Sequence, residues 1–508
     1  MIPEKPETVP LRSRDLPVEP VVAPAPVPEV DTGGTTVGTA ATGLRHRGGR
    51  KPPLFVAGVI GLVIALCYYG YTAEVTDPAH LAYGLLIMFL AMLPSLRWAL
   101  QSDYRFPVFE VFMLTGINTY AIPLLAGHQQ LQFFEDQAIS TAALGVLLYQ
   151  ITANLTYILV KGRPKRGRAW TEEVISSNIS KYLSYAMAIT AFYTMISAFT
   201  TWLPPSINGI IRAGAFGVGI IATFIQSRLW GQGLLPHHSK GAFLFLLAAQ
   251  VIFSWSELFL VGGISILVLA VLGYVSGSKK LPVLALLIVV PVVAILHNGK
   301  SVMRAKYWDG GAPKPAIIDL PAYYSEWIGY GVDPEMYAQR KEQNNLLLER
   351  TSLFHIFCMV TANTPERLPF LNGETYTYVP AQFVPRYFWP NKPRSHIATY
   401  RLSTYYGLQG EEDTQRTTIA FGMLSEAYAN FGFFGTTLLG FVFAFCFKKI
   451  SEWASLSPLL SYPGLFLIVL MAWAFQTELT LAAWLSAFYQ ACIAVIGVPF
   501  MMRNFFGR

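Results

Sequence analysis

The chain has 508 residues, 53% of them hydrophobic and only 13% charged, and its 37 basic against 30 acidic side chains give a formal net charge of +7. Such a composition, with repeated apolar runs of about 20 residues, excludes an ordinary soluble domain and describes an all-α, polytopic membrane protein. Basic cytoplasmic loops account for the positive charge, so no nucleic-acid partner is expected; Cys67, Cys446 and Cys492 lie in apolar runs and Cys358 stands alone, which offers neither a disulfide framework nor a zinc spacing.

Residues 1–52 are rich in Pro, Val, Thr, Gly and Glu and show neither helical nor strand period. They bury too little apolar surface to offset chain entropy and are expected to form a disordered cytoplasmic tail, not a signal peptide. About twelve spans follow: near Pro53–Ala73, Ala79–Leu96, Pro107–Ala126, Gln137–Val160, Ile179–Trp202, Ile207–Ser227, Gly241–Trp255, Phe259–Ser276 and Leu281–His297, then Thr418–Phe447, Leu459–Gln476 and Leu479–Met501. Alternate connections segregate by charge. HRGGRK, Arg97 with Arg105, KGRPKRGR, Arg228 to Lys240, Lys279 with Lys280 and Lys448 with Lys449 fall on one side; EVTDP, GHQQLQFFED, LPPS, Glu257 and Glu478 fall on the other. The positive-inside rule therefore places both termini in the cytoplasm.

The same rule puts residues 298–417 outside the cell membrane as one large loop, periplasmic where there are two membranes. YYSEWIGY reads as an amphipathic helix. A second helix is expected from Pro334 to about Ala362; Glu349, Arg350 and His355 argue against its crossing the bilayer, so it is placed at the interface with Arg350 on its polar face.

The loop ends in the stretch that carries chemistry, TYVPAQFVPRYFWPNKPRSHIATYRLSTYYG, followed by RTTIAFGMLSEAYANFGFFG. Pro380, Pro385, Pro390 and Pro393 recur too often for a helix or central strand and predict an irregular, rigid loop. Between and beyond them stand Arg386, Lys392, Arg394, Arg401 and Arg416, and guanidinium forks match phosphate oxygens. Tyr387, Trp389 and their aromatic neighbours offer flat faces to sugar rings or to lipid headgroups. Cations and rings resting on lipid phosphate are an equal reading of the same residues. The acidic triplet Glu411, Glu412 and Asp413 reads as a solvated loop before a cation site, since three consecutive carboxylates do not converge on one ion. SWSELFLVGG, at Ser254–Gly263, is a polar break that lines a cavity or makes an external turn. Glycines at Phe431–Gly435 and at Gly440 fit close helix approach. No phosphate-gripping glycine loop follows a strand, so neither a nucleotide sugar nor any other cofactor, nor a metal, is expected.

Arg350 with TSLFHI, then TPERLPFLNGETYTYVPAQFVPRYFWPNKP, then FGMLSEAYANFGFFG, together with about a dozen spans and one large loop ahead of the last few, resembles the Wzy-type O-antigen and exopolysaccharide repeat-unit polymerases. The resemblance implies a GT-C-like glycosyltransferase of the bacterial inner membrane. Its substrates would be undecaprenyl-pyrophosphate-linked oligosaccharides joined on the outer face, with a Wzx-type flippase and a Wzz-type chain-length regulator as partners beside membrane lipid. In that reaction fixed cations stabilise the departing pyrophosphate. Arg386 and Arg394, with Lys392, then Arg401, Arg416 and Arg350, are the expected cations. The acceptor hydroxyl needs a proton acceptor, for which Glu426, Glu374 and His396 are the candidates. Glu426 stands out because a carboxylate inside a span is costly unless partnered, and a structural hydrogen-bonded Glu is the competing account. Two other activities fit the same build less well: an O-antigen ligase, and a transporter or flippase of the lipid-linked unit, for which repeated halves and mid-bilayer charge are wanting.

Overall fold

A computed structural model describes residues 52–75, 77–100, 107–162, 179–200, 205–278, 280, 282–335, 351–386, 388–415, 418–457 and 461–506; the expected N-terminal tail lies outside them. All belong to a single unit, Ala41–Arg508. Its helices are α1 (Pro52–Thr72), α2 (Pro78–Leu100), α3 (Val108–Gly116), which continues through a π turn at Ile117–Ala121 into α4 (Ile122–Leu125), α5 (Asp136–Leu159), α6 (Ile179–Phe199), α7 (Pro205–Gly231), α8 (His237–Trp255), α9 (Leu260–Ser278), α10 (Val283–Arg304), α11 (Leu320–Val332), α12 (Phe354–Asn363), α13 (Val379–Gln382), α14 (Ile397–Tyr405), α15 (Gly422–Ala454), α16 (Tyr462–Ala474) and α17 (Leu481–Phe506). No strand occurs among the described residues.

Each apolar run read from the sequence is helical over most of its length, because in hydrocarbon only an intrahelical ladder satisfies every backbone group of a single segment. Among the described residues, seven helical stretches are long and apolar enough to cross a membrane: Phe55–Thr72, Pro78–Leu100, Val108–Leu125, Asp136–Leu159, Ser180–Phe199, Val283–Trp308 and Gly422–Ala454.

Two packed groups organise the chain. In the first, α15 lies along α5, with α2 and α3 closing the sides. Gly440 permits this, since its Cα rests on the backbone of Tyr149 and Ala153. Phe112, Phe443 and Phe447 interdigitate across the seam, the first two stacked at 5.6 Å. In the second group, α6 to α9 are held by buried amides and hydroxyls: Gln226 donates to Ser184, Gln250 to the Met187 carbonyl and Thr190 to the Ala215 carbonyl. Helix α17 joins the groups by packing on both α7 and α16. The polar break at Ser254–Gly263 is a tight turn in which the Trp255 indole donates to the Leu260 carbonyl and Arg304 donates to the Leu258 carbonyl.

The loop helices differ from expectation in one respect. YYSEWIGY is helical within α11, anchored by the buried Trp327, whose indole N–H donates to the Leu296 carbonyl at 2.7 Å. Of the second helix, expected from Pro334 to Ala362 and at the interface, Pro334 and Glu335 are helical, but Ser352 and Leu353 are not, so that its last part is a separate helix, α12, starting at Phe354. It is buried in the first group: Phe354, Ile356, Phe357, Cys358 and Val360 are all covered, and Phe357 fits against Gly145 of α5 and the Tyr428 ring. Its apolar residues surround the helix instead of lining one face, which suits an enclosed helix and not an amphipathic one. Arg350 and the rest of 336–350 lie outside the described residues.

Candidate functional site

The site is built on the break in α15. At Gly432 the backbone turns to φ 60°, ψ −144°, a conformation closed to side-chain-bearing residues, so the helix divides into an upper segment from Gly422 and a lower one ending at Ala454. Carbonyls left without intrahelical partners at the end of the upper segment are taken by the loop. Leu371 N–H donates to the Ala429 carbonyl at 3.0 Å and Asn372 N–H to the Asn430 carbonyl at 3.2 Å. The Asn430 side chain accepts from Gly373 N–H and donates to the Thr375 hydroxyl at 2.8 Å. Four hydrogen bonds thus fix residues 371–375 on the helix and lay Tyr376 over Phe431, with ring centroids 6.0 Å apart.

Glu426 is fully buried in the upper segment. Its Oε2 accepts from the Leu481 N–H at 2.6 Å, the first residue of α17. A helix start carries unpaired N–H groups and the positive end of the helix dipole, so a carboxylate is well placed there. The second oxygen, Oε1, makes no hydrogen bond of normal geometry among the described residues, although the Thr375 hydroxyl lies beside it. A half-satisfied carboxylate in a dry site is costly and is also reactive toward a proton. The Tyr376 phenol is held protonated by burial and by the neighbouring Glu426 charge.

Below Tyr376 opens an apolar groove of about 430 Å³ between the lower segment of α15, α16 and α17. Phe431, Gly435 and Leu481 lie at its Tyr376 end and Cys446, Phe447 and Ile450 at the other. From Gly435 to Ile450 it follows α15 for about 22 Å at 1.5 Å per residue, most of the depth of a bilayer's hydrocarbon. Apart from Tyr376, Cys446 and Trp484, whose indole donates to the Trp473 carbonyl, the lining is hydrocarbon.

The cations expected to meet phosphate divide into three groups. Arg386 donates to the carbonyls of Pro390 and Lys392 at 3.1 and 3.2 Å, and the Lys392 ammonium donates to those of Gln382 and Val384 at 3.3 and 2.7 Å. Burial and the adjacent Arg386 charge lower the Lys392 pKa. Arg401 forms a two-pronged ion pair with Glu374 at 2.6 and 3.2 Å, over the Tyr405 ring, so these two candidates answer each other. Arg394 is exposed. Trp389 is exposed as well, while His396 sits at the start of α14, its pKa lowered by burial. Arg350, Tyr387 and Arg416 lie outside the described residues. The acidic triplet stays local: the Asp413 carboxylate accepts from Gly410 N–H. No group of three His, Cys, Asp or Glu side chains suited to a metal occurs among the described residues.

Sequence reasoning missed Tyr376, Thr375 and Asn430, which the fold places around Glu426. The one available signal was ETYTY beside the turn LNG, since a hydroxyl-rich run at the edge of a span has few reasons to be buried. It also passed over Glu478, whose carboxyl is pushed up by burial and whose carbonyl accepts from the first N–H of α15.

Residues 220–460 of the chain are similar to a family described as a domain of unknown function, DUF8712. That match takes in the loop and all of α15 but stops short of α17. No curated protein and no solved structure matches the chain.

Proposed function

We propose that this protein is a membrane-embedded glycosyltransferase that joins polyprenyl-pyrophosphate-linked oligosaccharide repeat units at the outer face of the bacterial inner membrane. In this reading it has about twelve spans in a GT-C-like arrangement, both termini in the cytoplasm and residues 298–417 outside. The observation that carries it is the hydrocarbon-lined groove of about 430 Å³ that ends at Tyr376 beside the buried carboxylate of Glu426. A long isoprenoid chain suits such a groove, and its headgroup then lies at the level of the loop.

The reaction is a displacement at the anomeric carbon. An acceptor sugar hydroxyl forms the new glycosidic bond as the bond from that carbon to the pyrophosphate oxygen breaks, and the electron pair leaves with the pyrophosphate. Glu426 Oε1, buried without a normal hydrogen bond, takes the hydroxyl proton. Arg394 is the described cation best suited to the leaving group, because Arg386 and Lys392 are engaged with loop carbonyls and Arg401 with Glu374. Arg350 and Arg416 keep the role the sequence suggested for them.

The test is purified protein in vesicles supplied with lipid-linked repeat units as sole donor and acceptor. A ladder of polymer is expected. Absence of a ladder, with transfer once a lipid A core acceptor is added, makes the protein a ligase; vesicles that only move the lipid-linked unit across the bilayer make it a transporter.

A further inference from the structure

Around Phe388 and Trp389 the proline loop turns the polar ends of Arg386 and Lys392 inward and its rings outward, while Asn391 and Arg394 further along are exposed. Pro380, Pro385, Pro390 and Pro393 contribute no N–H, so nearby carbonyls lack backbone donors. At an aqueous surface water would serve them. Here Arg386 and Lys392 fold back and donate to four carbonyls of their own loop, those of Pro390, Lys392, Gln382 and Val384. Internal satisfaction of this kind is what backbone requires where water is absent. Outward stand Phe383, Phe388 and Trp389, with 41%, 76% and 44% of their surface exposed.

The depth of the loop is set by α17. Helix α13 packs on it, and the Phe383 ring meets the Tyr489 ring edge-on at 5.1 Å. Tyr489 lies eight residues beyond Leu481, about 12 Å down the helix from the N–H that Glu426 binds. The loop therefore runs beside α17 and not above it. For a helix that crosses the bilayer, this is the depth of the boundary between headgroups and acyl chains, where Trp and Phe are at home.

We infer that Phe383, Phe388 and Trp389 form a re-entrant anchor whose rings sit among the acyl chains of the outer leaflet and hold the proline loop against α17. Trp389 then faces lipid and is not a platform for sugar. The inference rests on reading Leu481–Phe506 as a span and is independent of the reaction.

Nitroxide labels test it. Phe388→Cys, Trp389→Cys and, as a control on the exposed acidic turn, Glu411→Cys are each made in a chain whose Cys67 and Cys446 are replaced by Ala. The labelled proteins go into phosphatidylcholine nanodiscs, and collision rates with oxygen and with a water-soluble nickel chelate are measured by power saturation. The oxygen-to-nickel ratio is expected to be several-fold higher at 388 and at 389 than at 411. A ratio at either position equal to that at 411 puts the rings in water and overturns the inference, whatever the protein's activity.

Discussion

The two segments of α15 share one helix axis in sequence and little else. From Gly422 to Asn430 every residue is buried, and two of the polar ones are tied to other parts of the chain: Glu426 to α17, Asn430 to the 371–375 loop. Beyond Gly432 one face of the helix is an apolar wall, with Leu438, Val442 and Cys446 on the groove. The contrast shows how one apolar run holds both a polar plug and one side of a hydrocarbon-lined groove. The backbone break releases two carbonyls, a loop pairs with them, and the buried polar cluster is covered by protein and satisfied in part.

The strongest way to break this contrast is at the plug. Glu426→Gln keeps an acceptor for the Leu481 N–H but removes the base, so turnover is expected to fall roughly a hundredfold or more while the thermal midpoint in detergent stays near that of the parent. Glu426→Leu removes both and is expected to lower the midpoint as well; unchanged turnover in Glu426→Gln, with a lower midpoint in Glu426→Leu alone, would return Glu426 to a plain helix cap. A smaller effect is expected at the wall. Val442→Trp fills the groove, and polymer yield should drop about tenfold, equivalent to about 1.4 kcal/mol, with the midpoint little changed. At the break itself, Gly432→Ala forces a side chain into a backbone conformation costing about 1–3 kcal/mol, which should appear as a lower midpoint. The Cβ would also press on the Phe370 ring.

Weaker still is the Arg401 pair. Both side chains are more than a third exposed, and such pairs contribute about 0–1 kcal/mol, so Arg401→Lys should leave stability almost unchanged. Arg394→Lys, by contrast, should reduce turnover more than Arg401→Lys does, since a lost fork matters only where phosphate is gripped. A further effect concerns pH and shows only on the acid side. His355 lies against His128, rings stacked at 4.6 Å, and burial together with that neighbour lowers its pKa to about 4 from 6.5. A histidine that is neutral when folded binds fewer protons than the unfolded chain, so its contribution is complete above about pH 6.5 and is lost as the pH falls toward 4. His355→Phe is expected to flatten the midpoint-against-pH curve over that interval.

Reading the chain alone located the helices well and the site only in outline. Apolar runs mark helices because the transfer free energy of their side chains and the demands of the backbone are both local, so every expected run is helical. The burial of α12 was not legible. The interfacial placement came from Glu349, Arg350 and His355 in the longer expected helix, and what encloses α12 is Gly145 and Tyr428 from distant parts of the chain. The glycines near Phe431 read as a close-packing surface; Gly440 serves that way, whereas Gly432 breaks the helix, and only the loop at 371–373 accounts for the difference.

By itself, then, the sequence determined a membrane-embedded helical chain with a proline-stiffened, cation-rich loop ahead of its last helices and a carboxylate at Glu426. The tertiary structure decided what each charge does. Glu426 meets Leu481 across 55 positions, and Arg401 meets Glu374 across 27. Arg386 and Lys392, which by type suit phosphate, instead hold the carbonyls that prolines leave without donors. The physical reason is that the side chain's own charge says what it can bind, while its partner is chosen by whichever groups packing brings within about 3 Å and deprives of water.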